Sequence, residues 1–131
     1  MPNTVHSGGC LCGAVRFEAI APLRDFVACH CSQCRKQSGH YPAMTSLPLN
    51  RFKFTREAGL GRYSASEAAE RGFCKECGSF LFWKAHSEER ISICGGAFDE
   101  PTGAKIGKHI FCADKGDYYE IDDGAEHRPG W

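Results

Sequence analysis

The sequence predicts a mainly β domain with short helical turns. Three observations predict it. Apolar residues recur at every second position in run after run, turn signals cut the alternation into short segments, and helix signals are confined to brief stretches. The 131 residues fit one domain, residues 1–131, long enough to bury a core of its own.

In chain order, Val15, Phe17 and Ala19 share one face of a strand, with Arg16 and Glu18 opposite. Asp25-Phe26-Val27-Ala28 reads as a second strand. Ser32 is placed to cap a helical turn through Gln33-Cys34-Arg35-Lys36-Gln37, and Gly39 to end it. Phe52 and Phe54 alternate with Arg51, Lys53 and Thr55. Ser66-Glu67-Ala68-Ala69-Glu70 is a candidate for one further turn. Phe80-Leu81-Phe82-Trp83 is apolar without a break, as a strand covered on both faces would be. Ile91 and Ile93 alternate with Arg90, Ser92 and Cys94; Ile110 and Cys112 alternate with His109 and Phe111. Gly8-Gly9, Gly59-Leu60-Gly61, Gly95-Gly96 and Asp122-Asp123-Gly124 supply the turns between runs. No repeat, low-complexity tract or linker interrupts them.

Composition excludes some functions. Lys+Arg and Asp+Glu are both 16, so there is no basic surface for nucleic acid. No apolar run approaches the roughly 18–20 residues that span a bilayer, which argues against a membrane role. Met1-Pro2-Asn3-Thr4-Val5-His6-Ser7 is polar and carries no apolar signal region. The nine cysteines are odd in number, which fits metal-held thiolates in a reducing cytoplasm better than a disulfide framework.

Seven of those cysteines form three clusters: Cys10 and Cys12; Cys29, Cys31 and Cys34; Cys74 and Cys77. Two and two make a closed tetrahedral zinc site, with Gly78 permitting the tight loop after Cys77. Cys10 and Cys12, two apart on an extended chain, would project the same way. Joining the pairs closes a long loop, and structural zinc of this kind contributes on the order of 10 kcal/mol to folding. The middle trio is different. Three sulfurs within six residues can hold one ion and leave a position for substrate, unless Cys94, Cys112 or a histidine closes it. Seven thiolates with two Zn2+ ions would shift the formal charge to about −3, again unlike a phosphate-backbone binder.

Three thiolates donate so much charge that zinc among them is a poorer Lewis acid than zinc held by histidines. Water activation is disfavoured, whereas a thiol remains an attractive partner and would bind as thiolate. The coordination chemistry therefore points to thiols and small electrophiles, such as an aldehyde adding to sulfur, rather than to hydrolysis.

The stretch from Gly8 to Phe17, GGCLCGAVRF, resembles the opening of the glutathione-dependent formaldehyde-activating family, which also includes the centromere protein V type domain. Cys29-His30-Cys31-Ser32-Gln33-Cys34-Arg35-Lys36, with Ser38-Gly39, is similar to its central motif. Phe73-Cys74-Lys75-Glu76-Cys77-Gly78-Ser79, with Leu81-Phe82, resembles its third motif. His109-Ile110-Phe111 and Tyr118 to Gly124 look like its C-terminal segment. The resemblance implies an Mss4-like fold, a structural zinc on Cys10, Cys12, Cys74 and Cys77, and a catalytic zinc on Cys29, Cys31 and Cys34. It also implies carbon–sulfur lyase chemistry, the joining of formaldehyde and glutathione to S-hydroxymethylglutathione.

Around the trio, His30 lies between two ligands and is expected to point away from their metal, into packing or a supporting hydrogen bond. His40 is a candidate proton acceptor, and Arg35 and Lys36 are candidates to dock a substrate carboxylate or to offset thiolate charge. Cys94 and Cys112 read as buried hydrophobes, and Phe73, Phe82 and Trp83 as core. The leading expectation is a zinc lyase, with two Zn2+ per chain, acting on a small thiol such as glutathione and a small aldehyde. The rivals are a non-enzymatic zinc module for a protein or chromatin partner, and a redox sensor in which a trio cysteine oxidises after metal loss.

Overall fold

The computed structural model describes residues 4–131; the start of the polar N-terminal stretch, residues 1–3, lies outside them. The chain is mainly β, as the alternation predicts. β1 (Val5–Gly9), β2 (Arg16–Ile20) and β5 (Phe52–Arg56) form a three-stranded antiparallel sheet in the order β1-β2-β5. Eight strands form the second sheet: β3 (Phe26–Cys29), β4 (Ala43–Pro48), β6 (Leu60–Tyr63), β7 (Ala69–Cys74), β8 (Phe80–Ala85), β9 (Arg90–Cys94), β10 (Ile106–Ile110) and β11 (Glu126–His127). Their order is β11-β10-β3-β4-β9-β8-β7-β6. β10 runs parallel to both β3 and β11, and the other pairings are antiparallel.

The core lies between the sheets. Phe17 of β2 is 2% exposed, and its ring meets Phe52 and Phe98 at centroid distances of 5.4 and 5.5 Å. Phe54 of β5 reaches Phe82 of β8 at 5.8 Å, which joins the small sheet to the large one. Leu47, Leu81, Ile91 and Ile93 fill the rest, together with the thiols of Cys10 and Cys74. Burial of this apolar surface is the dominant favourable term in folding. β7 and β8 pack closely because Gly72 stands opposite Phe82; a Cβ there would lie 2.0 Å from the ring.

Several local expectations need correction. The helix α1 spans Ser32–Ser38, and its N-cap is Cys31 rather than Ser32. The Cys31 sulfur accepts the Cys34 N–H at 3.3 Å, a role usually taken by an oxygen. Gly39 ends the helix at φ 83°, as expected. Ser66-Glu67-Ala68 is bent chain without a helical turn, and Ala69 and Glu70 already belong to β7. Cys10 and Cys12 sit in a turn, closed by Gly13 N–H to Cys10 C=O at 3.4 Å, rather than on extended chain. β10 stops at Ile110 because Phe111 adopts a left-handed φ of 55°, so Cys112 falls in a 3-10 turn instead of a strand. His109, expected opposite the buried face, is 1% exposed: its ring packs against those of His30, Tyr41 and His127.

Candidate metal centres

The topology gathers the seven cysteines into two groups. Cys10 and Cys12 follow β1, and Cys74 and Cys77 bracket the loop after β7. Their four sulfurs lie within 4.8 Å of one another. Cys10 Sγ is 3.7 Å from Cys12 Sγ, and Cys12 Sγ is 3.8 Å from Cys74 Sγ. Zinc–sulfur bonds of about 2.3 Å in a tetrahedron give sulfur–sulfur edges of about 3.8 Å, so this donor set fits zinc. The surrounding backbone holds the sulfurs in place. Gly78, at φ 81°, donates its N–H to Cys74 C=O at 2.8 Å, and Val15 N–H points at Cys10 Sγ at 3.2 Å. Ser79 ties the halves together: its hydroxyl accepts Leu11 N–H at 3.0 Å and lies 3.2 Å from Cys77 Sγ. That hydrogen bond pulls the Cys77 thiol down to about 5, a ready thiolate.

Cys29, Cys31 and Cys34 form the second group, again with sulfurs within 4.8 Å of one another. Cys29 ends β3, Cys31 caps α1, and Cys34 returns from the helix's first turn. Among the described residues no other cysteine, histidine or carboxylate joins the trio. Neither Cys94 nor Cys112 completes it, and burial pushes the Cys94 thiol up to about 12. Within the trio, the hydrogen bond from Cys29 pulls the Cys34 thiol down to about 6 against the effect of burial, and the nearby Arg71 charge adds to it. Cys29, donating that bond and buried, is raised. Three soft donors without a fourth suit zinc with an exchangeable ligand.

Sequence reasoning missed Arg71. This β7 side chain, 4% exposed in its residue, places Nη1 at 3.6 Å and Nη2 at 3.7 Å from Cys34 Sγ. It also donates to Gln37 Oε1 at 3.0 Å and Gln33 Oε1 at 3.2 Å. The available signal was a charged residue two positions after buried Ala69, on the strand face that should be apolar.

His30 turns away from the trio, as expected, into a buried polar chain. Its Nδ1 contacts Tyr119 Oη, its Nε2 lies 2.9 Å from His109 Nδ1, and His109 Nε2 lies 2.8 Å from Asp123 Oδ2. Burial pushes the His30 imidazole down to about 4, so it is neutral at pH 7. His40 is exposed, with Nδ1 2.6 Å from Tyr118 Oη, and its ring also packs on Tyr41 and Tyr119. Arg35 is half-buried, and its Nε is shielded with no hydrogen-bond partner among the described residues. Lys36 is exposed. Phe82 is core as expected, whereas Phe73 and Trp83 are half-buried. No helix among the described residues is long and apolar enough to cross a membrane.

Comparison with known proteins places these features in a family. The chain is similar to an uncharacterized lyase of Schizosaccharomyces pombe, 33% identical over 78 residues, which cover 60% of this chain and 56% of that lyase. It is 28% identical to a protein of Halomonas elongata named "Putative glutathione-dependent formaldehyde-activating enzyme", over 92% of this chain and 83% of that protein. A crystal structure of a Rhodobacter sphaeroides protein superposes with a TM-score of 0.61 at 26% identity, covering 72% of this chain and 89% of the other. The family model described as glutathione-dependent formaldehyde-activating enzyme matches residues 5–114, which include all seven clustered cysteines, Arg71 and both buried histidines, and the chain belongs to that family.

Proposed function

We propose that this protein is a carbon–sulfur lyase that joins a small thiol to a small aldehyde, or releases the aldehyde from the adduct, with glutathione and formaldehyde as the type substrates. Cys10, Cys12, Cys74 and Cys77 would hold a structural zinc, and Cys29, Cys31 and Cys34 a catalytic one. The observation that carries this reading is the unequal division of sulfur: four donors saturate one site, and three leave the other short among the described residues. Zinc bound by the trio supplies a sulfur-seeking cation that favours a substrate thiol in its thiolate form.

The reaction balances without any further reactant. The sulfur–hydrogen bond adds across the carbonyl: a carbon–sulfur bond forms, the carbonyl π bond breaks, and the proton ends on oxygen. The chain's own groups supply binding and proton handling. Arg35, next to Cys34 in the chain and half-buried, carries a guanidinium that would suit a substrate carboxylate. If His40 donates Nδ1–H to Tyr118 Oη, its Nε2 is left free to accept a proton.

The test is metal content and catalysis on the same preparations. The wild type should hold two zinc ions per chain and accelerate formation of the glutathione–formaldehyde adduct. Cys31→Ser should hold one and lose the acceleration. Wild type with both sites filled and no acceleration with any small thiol would reject the lyase and favour a binding module.

A further inference from the structure

A buried guanidinium needs a counter-anion, and Arg71 has none in the ordinary sense. Its residue is 4% exposed, and among the described residues no carboxylate pairs with it. Its partners are two neutral amides, Gln33 and Gln37, a ring (Phe80, 6.0 Å from Cζ) and the Cys34 sulfur. Burying an unpaired cation is costly, so Cys34 must be the anion that Arg71 neutralises. The two amides aim the fork: Gln33 and Gln37 lie one helical turn apart on α1, flank Cys34, and each takes one Nη.

Charge counting then gives Arg71 a role beyond holding Cys34. Three thiolates around one dication carry a net charge of −1, and an anionic fourth ligand would raise the surplus to −2. A neutral fourth ligand adds nothing. The cation beside Cys34 offsets one unit of this surplus where the dielectric constant is low, which favours an anionic newcomer over a neutral one. We propose that Arg71 is a positioning residue that sets the Cys29–Cys31–Cys34 site to accept a thiolate in preference to a neutral ligand. This rests on the proposal that the trio holds a metal.

The experiment uses the full chain loaded with cobalt(II), whose absorption bands report each site's ligands. The probes are mercaptoethanol, which binds as an anion and has no carboxylate for Arg35, and imidazole, which binds neutral. In Arg71→Met, affinity for mercaptoethanol should fall by about tenfold or more, with imidazole affinity changed by less than about threefold. Arg71→Lys keeps the charge and should restore most of the thiol affinity. Gln37→Glu, at the half-buried end of the amide clamp, gives the guanidinium a competing anion and should weaken mercaptoethanol selectively. If Arg71→Met does not fold, the Lys and Glu variants decide. Equal losses for both ligands, or a Gln37→Glu protein indistinguishable from wild type, overturn the role of Arg71 alone. Wild type that binds one cobalt, unaffected by Cys31→Ser, instead overturns the metal at the trio and this inference with it.

Discussion

His30 Nε2 lies 2.9 Å from His109 Nδ1, with the two residues 0% and 1% exposed. If each ring carries a single proton, the direction of every bond in their chain follows from one end. The Asp123 carboxylate can only accept, so His109 Nε2 carries the proton; His109 Nδ1 then accepts from His30 Nε2–H, and His30 Nδ1 accepts the Tyr119 hydroxyl proton. Residues beyond the family match, Tyr119 and Asp123, are thereby tied to the segment between two candidate ligands. His109→Leu leaves the His30 Nε2–H buried and unpaired and should cost about 1–3 kcal/mol in urea unfolding, with Tyr119→Phe costing less. Unchanged midpoints for both would remove the chain's structural importance.

The two cysteine groups should fail in different ways. Cys74 is fully buried in the core, so Cys74→Ser removes a ligand and places a hydroxyl among apolar residues. Loss of a structural zinc worth on the order of 10 kcal/mol should abolish cooperative melting. Cys31→Ser touches a half-buried cap and should leave a cooperative transition, with one zinc fewer per chain. Equal damage in calorimetry would erase the distinction between structural and catalytic sites.

How much of this the sequence disclosed depends on whether a feature is local. Strand positions such as Phe17, Ala19, Ile91 and Ile93 were legible because period-two alternation is a property of neighbouring residues. The division of the cysteines was legible because ligand spacing is local as well. Arg71 and the His30–His109 pair were not, because their partners are 37 and 79 residues away and only sheet order brings them together. His109 was read as the outer face of a strand, but the rings that bury it, those of His30, Tyr41 and His127, come from other segments of the chain. The Cys31 cap was missed by one residue because sulfur is not the usual capping atom, yet the Cys31 sulfur accepts the Cys34 N–H.

Gly72 supports the second site indirectly, since it lets Phe82 come close to the strand that carries Arg71. Any Cβ would come within 2.0 to 2.4 Å of three ring atoms. Gly72→Ala forces Phe82 out of a well-packed core and should cost about 1–3 kcal/mol in denaturant unfolding. Phe82→Leu in the same chain makes room and should recover part of the loss. If the double variant is no more stable than the sum of the single effects predicts, the contact is not the cause.

Acid sensitivity should include a contribution from Asp99. Its carboxylate takes both Nη groups of Arg16, one at 3.2 Å and one closer, while its N–H donates to Ser7 C=O at 2.9 Å. The pair thus links β2 of the small sheet to the segment that follows β9. The Arg16 hydrogen bonds hold the Asp99 carboxyl below its ordinary value of 3.8. A group with a depressed folded pKa binds fewer protons in the native state than in the unfolded chain as the pH falls past the unfolded value. Its stabilisation is therefore fully present above about pH 4 and is lost as pH drops through the folded pKa. Any metal released on acidification would be lost from both proteins alike, so the comparison with Asp99→Asn isolates the carboxylate. Urea midpoints of wild type and Asp99→Asn should converge from pH 6 towards pH 3, wild type being the more stable at the higher pH. Parallel lines would show that the ion pair carries no pH-dependent stability.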